Sequence, residues 1–308
     1  MFKAEDSAKY LDDIDVLINL AGPFALTQKP LIEACLDTHT HYMDVAGEYK
    51  DAYRAYEYHS QAQKQGIALI PAVGIFSAPM DIVSHLAASE IDNATSLKIG
   101  FASEGKLSRG SMNTAISKIQ TPGLQLVNGK YEEAQPAQTE CEMDIFNNTI
   151  PMATHPWRAD LLLAKISTGV QNIETYSSFP AFMIKMMKGK LRWLKTLMER
   201  YLIPILPEGP SEKQQQQGKI YAKAIATNSK GEKSIAELIG PDAYLFTVAS
   251  ITELLSSLVA SKSLSGFLAP SQLGTDWILK IQGISLKLND KKFKASANII
   301  SGVASNDA

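Results

Sequence analysis

The sequence predicts an α/β protein in which part of a parallel, doubly wound sheet (residues 1–92) precedes a mixed α+β unit (93–288) and a tail (289–308). Three observations carry this. The strands of the first part are short apolar runs, each closed by glycine or proline, as expected of strands covered on both faces. They alternate with helical stretches of about 10–16 residues, the signature of right-handed crossovers. Beyond residue 92 the texture changes to alternating segments separated by glycine turns, which predicts antiparallel pairing.

Residues 15–21 read D-V-L-I-N-L-A and stop at Gly22-Pro23, a strand and its turn. A helix follows over 27–36, with Thr27 as its N-cap and Pro30 in its first turn, where a missing N–H costs little. Residues 41–46 (H-Y-M-D-V-A) form a second strand ended by Gly47, and 49–65 a polar, alanine-rich helix ended by Gly66. Residues 67–71 make a third strand, closed by Val73-Gly74, and 79–89 a further helix. In the second unit, 97–102 and 123–148 carry the alternating segments. Residues 220–227 and 232–239 pair as a hairpin around a glycine-bearing loop, 228–231. The glutamine run 214–217 leads into that hairpin. Residues 244–261 read as a helix capped by Thr247 or Ser250, 277–281 as a late strand, and 289–308 as a polar, frayed tail.

Composition narrows the function. With 45% hydrophobic and 20% charged residues, 308 residues suffice for two cores. A net charge of -2 and a pI near 6.2 give no field that would draw nucleic acid. Cys35 and Cys141 have no partner pattern, so neither a disulfide framework nor a zinc site is indicated, and a reducing cytoplasm is expected. No apolar run reaches about 18 residues, so no membrane span is expected. Residues 179–206 differ from the rest in mixing large apolar residues with Lys185, Lys188, Lys190, Arg192, Lys195 and Arg200. Two readings stay open for it: a helical excursion packed on its own unit with its lysines reaching solvent, or peripheral contact with a membrane surface.

Ligands of open parallel sheets bind beyond the carboxyl ends of the strands. Three such ends are present: 19–24 (N-L-A-G-P-F), 44–48 (D-V-A-G-E) and 72–75 (A-V-G-I). Gly22 allows a planar group to approach the backbone, Pro23 fixes the turn, and Asn19 offers an amide; a purely structural turn explains the same residues. Tyr42 and Glu48 are candidates for acid and base. Arg109 is a candidate for pairing with a phosphate or carboxylate, or for a structural ion pair. His39, His41 and Asp44 alternate on a strand entry, which is a turn pattern rather than a metal site.

The ordered series V-L-I-N-L-A-G-P-F, P-L-I-E-A-C-L, H-Y-M-D-V-A-G-E and G-I-A-L-I-P-A-V-G resembles the saccharopine dehydrogenase-like oxidoreductases. Ser108-Arg109-Gly110, the G-P-S-E run at 209–212 and the run 266–283 extend the resemblance into the second unit. It implies a partial Rossmann-like domain for NAD or NADP, and a second domain that closes over the nicotinamide and makes dimer contacts, so a homo-oligomer is expected. It also implies that Ala21, Gly22, Pro23 and Phe24 lie against the cofactor, with Asp44, Gly47 and Glu48 on the substrate side and Gly74 and Asp81 lining the same cleft. Hydride transfer to or from a small or lipid-like substrate is the implied activity. The family's opening strand, glycine-rich turn and helix have no counterpart before residue 12, so the resemblance also implies truncation. The alternative is an inert or partner-dependent binding or dimerisation module.

Overall fold

The computed structural model describes residues 4–261 and 264–293. A short helix α1 (Ala4–Ala8) leads to β1 (Val16–Asn19), α2 (Phe24–Thr38), β2 (His41–Asp44), α3 (Tyr49–Tyr56), α4 (His59–Gln65), β3 (Ala68–Ile70) and α5 (Ala78–Ser89). The three strands are parallel, with Val16 opposite His41, Asn19 opposite Asp44, and Tyr42 opposite Leu69. β3 is wholly buried, whereas β1, which among the described residues is an edge strand paired only with β2, is partly covered.

The predicted start of α2 is corrected. The helix begins three residues earlier, after Pro23 in an extended conformation, which places Pro30 in its interior. Thr27 caps nothing; its hydroxyl donates to the Ala21 carbonyl at 2.7 Å and accepts from Asn19 Nδ2 at 3.2 Å, bracing the turn from within the helix. The predicted 49–65 helix is broken at Glu57-Tyr58 into α3 and α4. At the break the Tyr58 hydroxyl donates to Glu33 of α2 at 3.0 Å, a tertiary anchor that no local pattern announces.

The second unit runs β4 (Ala94–Ser103), α6 (Arg109–Ser117), β5 (Gly123–Val127), β6 (Lys130–Ala134), β7 (Glu140–Ile145), β8 (Asn148–Thr154), α7 (Asp160–Thr168) and β9 (Asn172–Ser177). The basic, apolar excursion follows: α8 (Ala181–Met187), α9 (Arg192–Leu197), a π-helical turn Met198–Leu202 and a 3₁₀ turn Ile203–Ile205. Then come α10 (Glu212–Gln217), β10 (Lys219–Asn228), β11 (Lys233–Pro241), α11 (Ala243–Ala260), β12 (Gly266–Phe267), β13 (Ser285–Leu288) and β14 (Lys291–Lys292). Along the mixed sheet the order is β14-β13-β11-β10-β4-β9-β5-β6, with β8 joined to β9 and β7 to β8. β10 and β11 form the expected hairpin, its loop organised by Asn228, whose side-chain oxygen accepts from the Lys230 and Glu232 amides. β4 and β9 run parallel within this otherwise antiparallel arrangement.

β12 leaves the second unit and pairs in parallel with β3, so the first sheet is completed from the far end of the chain. The residues read as a late strand are instead a 3₁₀ turn, Asp276–Lys280, that buries Trp277 and Ile278; the indole donates to the Pro270 carbonyl at 3.3 Å. Residues 289–293, assigned to the tail, turn through Asn289-Asp290 into β14 and pair with β13. The remainder of the tail lies outside the described residues. Among the described residues α11 is the one helix whose length and mean hydropathy of 1.5 would suffice to cross a membrane; Glu253 and several hydroxyls interrupt its apolar run, and Phe246, Leu254 and Leu258 are buried in the core.

The two sheets share a core. α5 places Met80, Ile82, Val83 and Leu86 between Met43 and Ile70 of the first sheet and Leu97, Ile99, Ala222 and Leu238 of the second. α11 adds Phe246, Leu254 and Leu258 to the same cluster.

Candidate active site

At the carboxyl ends of β1, β2 and β3 the chain builds one hydrogen-bonded knot around Asp44. The buried carboxylate accepts from the Ala46 amide (3.0 Å), the Ala72 amide (2.9 Å), Gln28 Nε2 (2.8 Å) and the Tyr42 hydroxyl (2.9 Å). Burial pushes its pKa up, against the four donors that favour the ionised form. Tyr42 and Asp44 share a face because side chains two apart on a strand do so. Asn19, opposite Asp44 in register, donates to the Tyr42 hydroxyl at 3.1 Å and accepts from the Ala21 amide at 3.0 Å. Tyr42 is fully buried, and burial beside Asp44 holds its phenol well above the ordinary value, so it stays a donor. Asn19, Tyr42 and Asp44 therefore set the shape of the turn at Ala21–Phe24.

That turn is open. Ala21, Gly22 and Pro23 are exposed, the Gly22-Pro23 peptide is cis, and a Cβ on Gly22 would meet nothing nearer than Phe24 Cε2 at 4.0 Å. Neither packing nor a positive φ demands glycine there. Gly47 is the opposite case: a Cβ would lie 2.8 Å from Phe76 Cβ, so this glycine lets the loop after β2 close onto the segment after β3. Gly74 packs beside Val45 and Thr247 of α11.

Beyond Gly47 the first unit meets the second. The Gly47 carbonyl accepts from the Ala159 amide at 3.0 Å, and the Tyr49 amide donates to the Trp157 carbonyl at 2.7 Å, with Glu48 bridged to Arg158. The Glu48 carboxylate, partly exposed, is paired with Lys118. Behind it, Arg158 is buried, donating through Nε to Asp160 (2.9 Å) and through Nη1 to the Tyr176 carbonyl (2.7 Å) and Ser177 Oγ (2.9 Å). Its guanidinium also sits 5.7 Å from the Phe101 ring centre. His155 Nδ1 lies 2.8 Å from the same Ser177 hydroxyl, and its ring meets Trp157 and Phe179 edge-on at 5.0 Å. Burial, and then the neighbouring guanidinium, hold this imidazole well below its usual range, so it is neutral at pH 7.

The sequence reading did not single out Lys118, His155, Arg158 or Asp160. A signal existed: H-P-W-R-A-D places four chemistry-bearing side chains within six residues, just ahead of the apolar run L-L-L.

Two proposed residues lie in other surroundings. Asp81 is buried in α5, accepting from Ser167 Oγ and the Ser271 amide, both at 2.7 Å, and burial raises its pKa; it ties α5 to α7 and to a 3₁₀ turn, Pro270–Leu273, that directly follows β12. Arg109 opens α6 and faces Glu208 at 3.4 Å, without a contact to the strand ends. His41 Nδ1 accepts from the Ala68 amide at 2.8 Å, and among the described residues no group of three or more His, Cys, Asp or Glu is placed to hold a metal. Cys35 is core, its thiol pushed up to about 12 by burial. Depressions of about 400 and 340 Å³ open near Asp15 and His41, at the amino ends of the strands. The knot, the open turn and the Glu48–Lys118 pair lie at the opposite ends, where parallel sheets take their ligands.

Comparison with known proteins bears on this end of the sheet. Residues 3–70 match the family model of the saccharopine dehydrogenase NADP binding domain. Over 68 residues the chain is 32% identical to a saccharopine dehydrogenase-like oxidoreductase of Bos taurus, a match covering 22% of this chain and 16% of that protein. Over 69 residues it is 31% identical to a saccharopine dehydrogenase-like oxidoreductase of Arabidopsis thaliana, covering 22% of this chain and 15% of that one. The matched segment thus spans about a sixth of each relative's length. In fold, the chain is similar to apo saccharopine dehydrogenase (L-Glu forming) from Saccharomyces cerevisiae, with a TM-score of 0.57 at 10% identity over 92% of this chain and 87% of that one.

Proposed function

We propose, from the premise that this chain belongs through residues 3–70 to the saccharopine dehydrogenase-like oxidoreductases, that it is an NAD(P)-dependent oxidoreductase moving hydride to or from a small or lipid-like substrate. The observation that carries this reading is the open turn at Ala21–Phe24, built on the buried Asn19–Tyr42–Asp44 knot at the carboxyl ends of the strands. Gly22 supports it in particular, because the fold itself leaves the space above that backbone unfilled.

A nicotinamide dinucleotide fits the residues of this turn, where Ala21, Gly22, Pro23 and Phe24 would lie against it. When bound, the group supplies the hydride donor or acceptor. The chain's own side chains orient and insulate. The Asp44 knot fixes the turn, and the Glu48–Lys118 pair offers a carboxylate and an ammonium within reach of water. His155, neutral and held by Ser177 beside Arg158, is the further candidate for proton exchange where the two units meet.

A second reading is a binding module that depends on a partner. It is favoured by one observation: among the described residues β1 pairs with β2 alone and leaves its other edge without a strand. Titration with NADH and NADPH, followed by reduced-nicotinamide fluorescence and by the rise in melting temperature, separates the two. Saturable binding that Gly22→Val weakens tenfold or more supports the oxidoreductase; the valine has room to fold there, so loss of binding reports the backbone approach. A folded chain that binds neither nucleotide overturns that reading and favours the module.

A further inference from the structure

We propose that the helical excursion Ala181–Ile205 is a docking surface for an anionic lipid bilayer. The excursion has two apolar faces. One is core: Met183, Met186, Met187, Met198 and Ile203 pack against Ile116, Ile119 and Ala153. The other is exposed: Trp193 is 66% exposed, Tyr201 59% and Ile205 78%, with Phe182, Leu197 and Leu202 beside them in sequence. Packing on its own unit accounts for the buried methionines and leaves this second face unexplained.

Trp193, Leu197, Tyr201 and Ile205 recur every four residues. In a regular α-helix that spacing drifts around the axis, but the π-helical turn at Met198–Leu202 has more residues per turn and reduces the drift.

Charge identifies the occupant. Lys185, Lys190 and Arg200 are exposed, and among the described residues none has a carboxylate within ion-pair distance. Of the other described charges, Lys188 pairs with Glu140, and Lys195 with Glu199 and the Ser117 carbonyl. Exposed aromatic and aliphatic side chains among unpaired cations are what an interfacial helix presents to anionic headgroups. An apolar protein surface would satisfy the aromatics and leave the cations without partners. The buried face packs on the segment that carries Lys118, with Gln120 Nε2 donating to the Met186 carbonyl at 2.8 Å. The inference does not rest on the oxidoreductase reading, since the test below needs no nucleotide.

The test is co-sedimentation of the full chain with sucrose-loaded vesicles of phosphatidylcholine, alone or with 30 mol% phosphatidylglycerol. The expected result is pelleting with the phosphatidylglycerol vesicles, lost in Trp193→Glu/Ile205→Glu and weakened roughly fivefold for each of Lys190→Gln and Arg200→Gln. All four positions are solvent-facing, and an unchanged circular dichroism spectrum and melting temperature certify the variants' fold. Three outcomes overturn the proposal: wild-type chain that stays in the supernatant, pelleting indifferent to the glutamates, or a dimer in solution that the glutamates dissociate, which would make this face a contact between copies.

Discussion

Asp44 shows how one residue can be prominent in a sequence for a reason the sequence does not contain. Its place at the end of a strand of a parallel sheet marks it for ligand contact, and the period of two puts Tyr42 beside it. Two of its donors, the Ala72 amide and Gln28, arrive only with the tertiary fold, and together the four close the carboxylate off. Asp44→Ala would leave four buried donors without an acceptor and is expected to cost about 3–5 kcal/mol in urea unfolding. Tyr42→Phe removes one bond and should cost about 1 kcal/mol. The open turn was legible, since Gly22-Pro23 after an apolar run admits little else. His155 and Arg158 carry a local signal in H-P-W-R-A-D, but their place was not legible, because they lie more than a hundred residues away and reach this end of the sheet only through the pairing of residues 157–159 with the loop after β2. Histidine 155 also predicts a pH dependence. Its folded pKa lies below the unfolded value of about 6.5, so its contribution to stability is present above that value and is lost as pH falls below it, where only the unfolded chain takes the proton. Buried Asp44, Asp81 and Asp160, with pKa values raised by burial, act in the opposite sense at lower pH. The comparison is therefore with His155→Gln, whose melting temperature should fall less than the wild type's between pH 7 and pH 5.

At the scale of elements, the strands of the first unit were easier to read than helix ends. Apolar runs stopped by Gly or Pro identify β1 to β3 whatever surrounds them, whereas a cap is a local choice among several hydroxyls. α11 illustrates this: its cap is Asp242, whose side chain accepts from the Tyr244 amide at 2.9 Å. Thr247 and Ser250 lie inside the helix, donating to the Ala243 and Val73 carbonyls at 2.8 and 2.6 Å. Asp242→Ala should destabilise the protein by about 1 kcal/mol, measured by chemical denaturation. Thr247→Ala should act elsewhere, on the join between α11 and the Gly74 loop, because its hydroxyl also accepts from the Ile75 amide at 3.2 Å. The Asp276–Lys280 turn escaped for a different reason: W-I-L is apolar enough for a strand, and only the pocket beneath Trp277 decides for a compact turn.

For the whole molecule, a change of texture near residue 92 suggests two units, yet the core runs through both. α5 packs on each sheet, and Asp81 fastens α5 to α7 and to the segment after β12. Unfolding should accordingly be one cooperative transition, with tryptophan fluorescence and far-UV circular dichroism giving coincident curves; separate midpoints would show that the units melt independently. What the sequence could not disclose is the return of β12, since two residues carry no periodicity. Its consequence lies in the making of the protein. On the ribosome, β3 emerges long before the strand that will cover its outer edge, and at 5–20 residues per second the wait is about 10–40 s. Through that interval the nascent first sheet has an uncovered flank, which makes it a natural client for chaperones that shield unfinished chains.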